Sequence, residues 1–295
     1  MAQPALAVHG GTTSMPREPF DPDPYVAALA AALDAGWSRL TAGAGALDAA
    51  QAAVEVLEDT PLFNAGRGSV LTAAGTVEMD AALMSGADLR AGAVACVARV
   101  RHPIALARAA MDRTPHVLLT GRGAERFADD LGLELMKPEW FVTPRERERL
   151  ARRQTAVSEQ GGGTVGAVAR DPDGALAAAT STGGVRGQLP GRVGDSPLIG
   201  AGTYADARCA VSATGSGEAL IRSVAAHEIA SLVGLGGMSL AEASELVLRE
   251  RVEPLGGSAG LIALGTEGEP VLPFTTEAMY RGWRAGHEPP RTAIG

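Results

Sequence analysis

Apolar positions recur along this chain in two rhythms, and the changes between them mark its elements. Residues 5–8 are an unbroken apolar run ending at Gly10 and Gly11, which reads as a short buried strand. Residues 25–40 and 46–57 repeat apolar positions at helical spacing, with Asp23 and Asp48 near their starts. Residues 77–84 and 93–100 predict neighbouring strands, 103–111 a helix, 117–120 a brief strand and 124–131 another helix. The pattern then fails. Residues 138–163 carry a charged run, Pro144 to Leu150, and end in Gly161, Gly162 and Gly163, a composition that predicts a solvated connector with one charged helical turn.

Beyond it, residues 164–170 and 175–181 are small and apolar, and Asp171-Pro172-Asp173-Gly174 between them supplies hairpin turn chemistry. Residues 198–204 and 209–213 extend the same kind of sheet, 218–233 and 240–251 predict amphipathic helices, and 259–264 and 271–274 return to strand. Strands cluster, helices follow, and the order repeats without regular βαβα alternation. That order predicts an α+β fold of two face-to-face sheets with helices outside, in a single domain.

Composition refines this picture in three places. Aromatics make up 4% of the 295 residues while glycine alone contributes 38, so the core must close on small side chains. A net charge of −8, with Lys137 the only lysine, leaves no basic footprint for a nucleic acid. The apolar settings of Cys96 and Cys209 predict buried thiols, not a disulfide. With no leader-like start and no 18-residue apolar run, they point to a cytoplasmic protein without a membrane span.

The segment Gly161-Gly162-Gly163-Thr164-Val165-Gly166 carries the sharpest chemistry. Glycine tolerates a strained backbone, so the Thr164 hydroxyl could attack the Gly163 carbonyl and leave Thr164 with a free α-amine. Such an amine, which ordinarily titrates at roughly 7.7–8.0, is a suitable base at neutral pH. Thr182 closes the second hairpin strand beside it. Arg192 and Asp195 share a glycine-rich loop, and Thr214, Gly215 and Gly217 join a strand to a helix, where free N–H groups face anions. Taken singly, the threonines read equally well as strand residues, Arg192 and Asp195 as a surface ion pair worth under about 1 kcal/mol, and Asn64 as a turn cap. The five histidines lack metal-ligand spacing. The Gly256 to Gly260 match to a serine-hydrolase elbow runs into a strand, which that elbow does not.

Across nearly the whole chain these motifs, together with Val8-His9-Gly10-Gly11, Leu62 to Gly68 and Glu78-Met79-Asp80-Ala81, resemble the plant-type asparaginases, or isoaspartyl peptidases, among the N-terminal nucleophile hydrolases. The resemblance implies a four-layer αββα sandwich cut between Gly163 and Thr164 into residues 1–163 and 164–295. It implies Thr164 as nucleophile, Thr182 as its orienting partner, and Thr214 with Gly215 as oxyanion hole. Arg192 would hold a substrate α-carboxylate, Asp195 and the Gly217 carbonyl its α-ammonium, and Asn64 would sit near the nucleophile. Backbone carbonyls of Leu57, Glu58, Thr60, Phe63, Ala65 and Arg67 would bind a structural sodium ion. No cofactor is implied for catalysis, and a homodimer of cleaved protomers is. The substrates implied are small molecules, asparagine and β-aspartyl dipeptides. The chain lacks the aspartate that precedes the nucleophile in glycosylasparaginases, and its loop after Tyr204 is compressed. Two alternatives stand beside this: an enzyme of the same superfamily that removes glycans from asparagine or cleaves proteins selectively, and an uncleaved relative acting only as a binding protein.

Overall fold

Uninterrupted apolar runs, not alternating ones, form the central strands of the larger sheet of this protein, which require cover on both faces. The chain, seen in a computed structural model that describes residues 2–14, 20–153 and 163–295, begins with β1 (Ala5–Thr13), α1 (Asp23–Thr41), α2 (Ala46–Asp59), β2 (Met79–Ser85) and β3 (Ala91–Val97). Next come α3 (Pro103–Arg113), β4 (Leu118–Thr120), α4 (Gly121–Asp130), α5 (Pro138–Phe141) and α6 (Pro144–Arg153). Then follow β5 (Val165–Arg170), β6 (Leu176–Thr182), β7 (Thr203–Ala205), β8 (Cys209–Gly215), α7 (Gly217–Ser223), α8 (Ala225–Gly234) and α9 (Leu240–Val247). The chain ends with β9 (Ala259–Gly265), β10 (Ala278–Ala285) and β11 (Arg291–Ile294).

Eight strands pair in the order β11-β10-β1-β5-β6-β2-β3-β4, and a second sheet has the order β7-β8-β9. One face of the large sheet is covered by α1, α2 and α3 through Leu29, Leu33, Ala53, Leu57 and Ile104. Its other face meets the small sheet across a thin layer rich in alanine: Ala5, Ala7, Ala178, Ala205, Ala210 and Ala285. Helices α7, α8 and α9 close the far side. The expected αββα stacking is present. Small side chains let the sheets approach closely, and Gly166 marks the tightest point, where an added Cβ would strike Ser212 Oγ and His9 Nε2.

Hydroxyls and one imidazole fill that narrow gap. His9 Nε2 lies 2.9 Å from Ser212 Oγ, which lies 2.7 Å from Thr180 Oγ1. Thr203 Oγ1 is 2.6 Å from Thr180 Oγ1 and donates to the Ser196 carbonyl at 2.9 Å. All four side chains are buried. Burial pushes the His9 imidazole down to about 3, against the opposing pull of a hydrogen bond with the Thr164 backbone, so it is neutral in the fold.

Several local expectations need correction. The helix expected over residues 218–233 is broken at Val224, which has φ 47°. The first amides of α8 reach the turn before β7 (Ala226 N to Ala201 O, 3.2 Å; His227 N to Gly200 O, 2.9 Å) and pull the chain out of line. Residues 198–204 are mostly turn, and β7 and β8 belong to the second sheet. Residues 271–274 make only isolated bridges, because Pro270 and Pro273 lack ladder donors. Strands β10 and β11 had no strong apolar signal; Arg281 and Arg284 of β10 stack on Phe274 and Trp37 instead. The charged run is a helix, α6, whose Glu146 is buried against Arg186 at 3.0 Å, not a solvated connector. Cys209 is buried, but Cys96 is only partly so, and both thiols are free. Asp206 closes the compressed loop by accepting from Arg208 N and Cys209 N. Gly161 and Gly162 lie outside the described residues.

Replacing Gly166 by alanine tests the inter-sheet spacing. Overpacking of this kind costs about 1–3 kcal/mol, so the thermal midpoint should fall by several degrees; an unchanged midpoint would contradict the packing described.

Candidate active site

The β5–β6 hairpin places two threonines together because its register is regular. Val165 pairs with Ser181 and Gly166 with Thr180, so Thr164 comes opposite Thr182. The Thr164 hydroxyl donates to Thr182 Oγ1 at 3.2 Å, and both residues are buried. From the facing sheet, Thr214 Oγ1 accepts from Thr164 N and Thr12 N, each at 3.4 Å. A hydroxyl that accepts from two N–H groups keeps its own proton free to donate. Three strands from both sheets thus converge on one backbone bond.

Gly11 makes this convergence possible. The register of β1 against β10 shifts between His9 and Gly11, and Gly11 has φ +99°. A Cβ there would lie 2.5 Å from Gly163 Cα and 2.8 Å from Thr164 N. The backbone therefore rests directly on the Gly163–Thr164 peptide, a position closed to any side chain.

Asn64 sits at the rim and serves as a brace. Its Nδ2 donates to the Gly184 carbonyl at 2.7 Å, and its Oδ1 accepts from Val70 N at 2.8 Å. Gly183 N donates to the Asn64 carbonyl at 3.0 Å, so the turn after Thr182 is tied to the residue 57–67 segment. Within that segment the carbonyls of Leu57, Glu58 and Thr60 each accept one backbone N–H, from Thr60, Arg67 and Phe63.

Arg192, Asp195 and Gly217 meet at the other side of Thr214. Asp195 is buried, and Oδ2 has no hydrogen-bond partner among the described residues. Burial is the largest cause pushing its carboxyl up to about 7; Arg192 opposes the shift, and Asp80 and Glu218 add to it. Arg192 pairs with Glu218 instead of Asp195, through Nε at 3.1 Å and Nη2 at 3.0 Å. The reading of Arg192 and Asp195 as a mutual ion pair is thereby set aside. A Cβ on Gly217 would lie 2.7 Å from Arg192 Nη2 and 2.8 Å from Asp195 Oδ1. One cation and one carboxylate therefore face each other across a glycine, matching the α-ammonium and α-carboxylate of an amino acid. Beside them opens a cleft of about 390 Å³, lined by Thr12, Gly215, Ser216, Gly217, Ser258 and Thr275 among others. Gly215 takes φ +132° at its wall.

Thr164, Thr182, Thr214, Arg192, Asp195, Gly163, Gly215 and Gly217 thus gather here. Three contributors carried no assigned role: Gly11 against the Gly163–Thr164 peptide, Glu218 against Arg192, and the His9–Ser212 pair behind β5. A paired glycine directly after a strand, and an acid in the first turn of the helix after Gly217, were the available signals. Among the described residues, no group of three or more His, Cys, Asp or Glu side chains could hold a metal ion.

Known proteins resemble this chain over its whole length. The family model described as "Asparaginase" matches residues 2–294. An isoaspartyl peptidase of Salmonella typhimurium is 48% identical over 310 aligned residues, covering 100% of this chain and 99% of that protein. The isoaspartyl peptidase of Escherichia coli is also 48% identical, covering 100% and 97%. The isoaspartyl peptidase/L-asparaginase of Rattus norvegicus is 43% identical, covering 93% and 84%.

Gly217→Ala should fill the space between Arg192 and Asp195 and abolish aspartate binding, as titration calorimetry would report, while the fold is retained. Undiminished binding would show that the amino-acid groups sit elsewhere.

Proposed function

Because this chain belongs to the asparaginase family over essentially its full length, we propose that it hydrolyses β-aspartyl peptides and asparagine through Thr164, after cleaving itself before that residue. The observation that carries the reading is the contact of Thr164 with Thr182, Thr214 and Gly11 around a single peptide bond. Attack by the Thr164 hydroxyl on the Gly163 carbonyl carbon forms a tetrahedral adduct. Its collapse breaks the C–N bond and leaves an ester, which water hydrolyses to the Gly163 carboxylate and a free Thr164 amine. Residues 1–163 and 164–295 would then be the two chains of one protomer.

The same groups serve turnover. The new amine, with an ordinary pKa of roughly 7.7–8.0, takes the proton of the Thr164 hydroxyl as that oxygen attacks the substrate β-carbonyl. The Thr214 O–H and the Gly215 N–H stabilise the oxyanion. The proton passes to the departing ammonia or amino acid, and water resolves the aspartyl ester. Arg192 holds the substrate α-carboxylate by its planar fork and Asp195 the α-ammonium, with the Gly217 carbonyl as a further acceptor. The leaving group points away from both anchors, so ammonia and an amino acid are both accepted.

The residue 57–67 turn fits a structural sodium ion. Carbonyls crowd it: a Cβ on Gly68 would lie 2.7 Å from Phe63 O and 2.9 Å from Pro61 O. Carbonyls that each accept one N–H retain a lone pair for a hard cation. Leu57, Glu58, Thr60, Phe63, Ala65 and Arg67 would supply them, and the ion would steady the turn carrying Asn64. We place the protein in the cytoplasm as a dimer of cleaved protomers; no helix among the described residues is long and apolar enough to cross a membrane.

A side-by-side assay tests the anchors. β-Aspartyl-leucine and asparagine should be hydrolysed, while α-linked aspartyl-leucine, whose α-carboxyl is tied up, should be inert. Equal rates on the α- and β-linked dipeptides would refute the assignment. The pH dependence follows from Asp195, which titrates at about 7. Below that value it is neutral and loses its attraction for the substrate ammonium, so KM should rise as the pH falls from about 8 to about 6. A flat KM across that interval would exclude Asp195 as the ammonium anchor.

A further inference from the structure

Two acidic residues beneath the anchor loop have no place in the chemistry above. Asp80 lies on β2 opposite Thr182 of β6, one strand away from the strand that Thr164 begins. On its other edge the β2–β3 ladder is irregular. Met79 faces Val97 and Ala81 faces Val94, so Ala95 and Cys96 together occupy the place opposite Asp80. Cys96 takes φ 54°, a left-handed conformation that costs a non-glycine residue on the order of 1–3 kcal/mol. The bulge directs Cys96 N onto Asp80 Oδ1 at 2.9 Å. The other oxygen, Oδ2, accepts from Gly194 N at 3.2 Å. Two residues earlier in the chain, Glu78 Oε2 accepts from Gly191 N at 2.7 Å.

The segment bearing Arg192 thus hangs from two carboxylates, one on each side of it. Asp80 is only 2% exposed, and a sheet gains nothing from a buried carboxylate and a strained cysteine; an apolar residue would complete the ladder. The arrangement makes sense if it transmits register. β2 is hydrogen-bonded to the strand of Thr182, and through it to the strand of Thr164, so the anchors inherit a fixed offset from the nucleophile.

We propose that Asp80, assisted by Glu78, is the positioning residue that sets Arg192 and Asp195 at their working distance from Thr164. The proposal rests on the functional reading above for what the anchors hold. A reacting carbonyl must stand roughly 3–3.5 Å from the attacking oxygen, and a misplacement of about 1 Å can cost 10²-fold. Asp80 touches neither substrate nor reacting atoms and acts through the loop.

Asp80→Asn keeps the shape but loses one of the two acceptors. kcat/KM for asparagine should fall and Kd for aspartate should rise, each by at least about tenfold, with self-cleavage, which does not use the anchors, at the unaltered rate. Glu78→Ala should raise KM by a smaller factor, and Glu78→Gln, which keeps an oxygen for Gly191 N, should restore it. Unchanged kcat/KM and Kd in Asp80→Asn would overturn the proposal, as would self-cleavage falling in step with turnover. If Asp80→Asn does not fold, identical KM values for the two Glu78 variants would overturn it equally. Aspartate binding followed by calorimetry reads the anchors without any chemistry. An inactive parent protein that binds aspartate, beside an Asp80→Asn variant that does not, would sink the hydrolase reading and uphold this one.

Discussion

The Gly163–Thr164 peptide is clasped between the Gly11 backbone of the large sheet and the Thr214 side chain of the small one. Gly11 leaves no room for a Cβ against Gly163 Cα, and Gly166, two residues beyond Thr164, leaves none against Ser212 and His9. Close approach of this kind needs a thin inter-sheet layer, which explains why alanine and glycine dominate there and why aromatics are scarce in the chain. The same closeness brings Thr214 of the small sheet within reach of Thr164 of the large one. A core of large side chains would separate the sheets and with them the two halves of the site.

A thin layer has an electrostatic consequence. Polar groups caught inside it must satisfy one another, because water has no room. His9 Nε2, Ser212, Thr180 and Thr203 form a chain that links both sheets, and Thr203 continues it to the carbonyl of Ser196, next to Asp195, while His9 Nδ1 has no partner among the described residues. Asp195 itself stands at the edge of this dry region with an unpartnered oxygen, and burial raises its pKa against the pull of Arg192. In the proposed reading a substrate ammonium meets that oxygen. On the opposite side Arg192 is already compensated by Glu218.

Most of the architecture was legible from the chain because its signals are local. The Asp171 to Gly174 turn with small apolar runs on both sides specifies the β5–β6 hairpin, and that register alone brings Thr164 to Thr182. The αββα order follows from clustered strands between helical stretches. Elements set by distant partners were not legible. Residue periodicity continues across Val224, where the chain bends because α8 caps itself on Gly200 and Ala201. Strand β10 is stabilised by arginines stacked on rings from other elements, so it lacks an apolar run. In the site, motif residues were found by pattern, whereas Gly11, Glu218 and Asp80 owe their parts to contacts more than twenty residues away in sequence.

The proposed function requires a single covalent event, opening of the Gly163–Thr164 bond beneath Gly11. Intact-mass spectrometry of the purified protein, paired with the same measurement on Thr164→Ala, reads it directly. The account predicts two chains for the parent protein, corresponding to residues 1–163 and 164–295, with Thr164 as the new first residue, and one inactive chain for the variant. A parent protein that hydrolyses β-aspartyl peptides as a single unbroken chain, or a Thr164→Ala variant that still divides at Gly163, would contradict it.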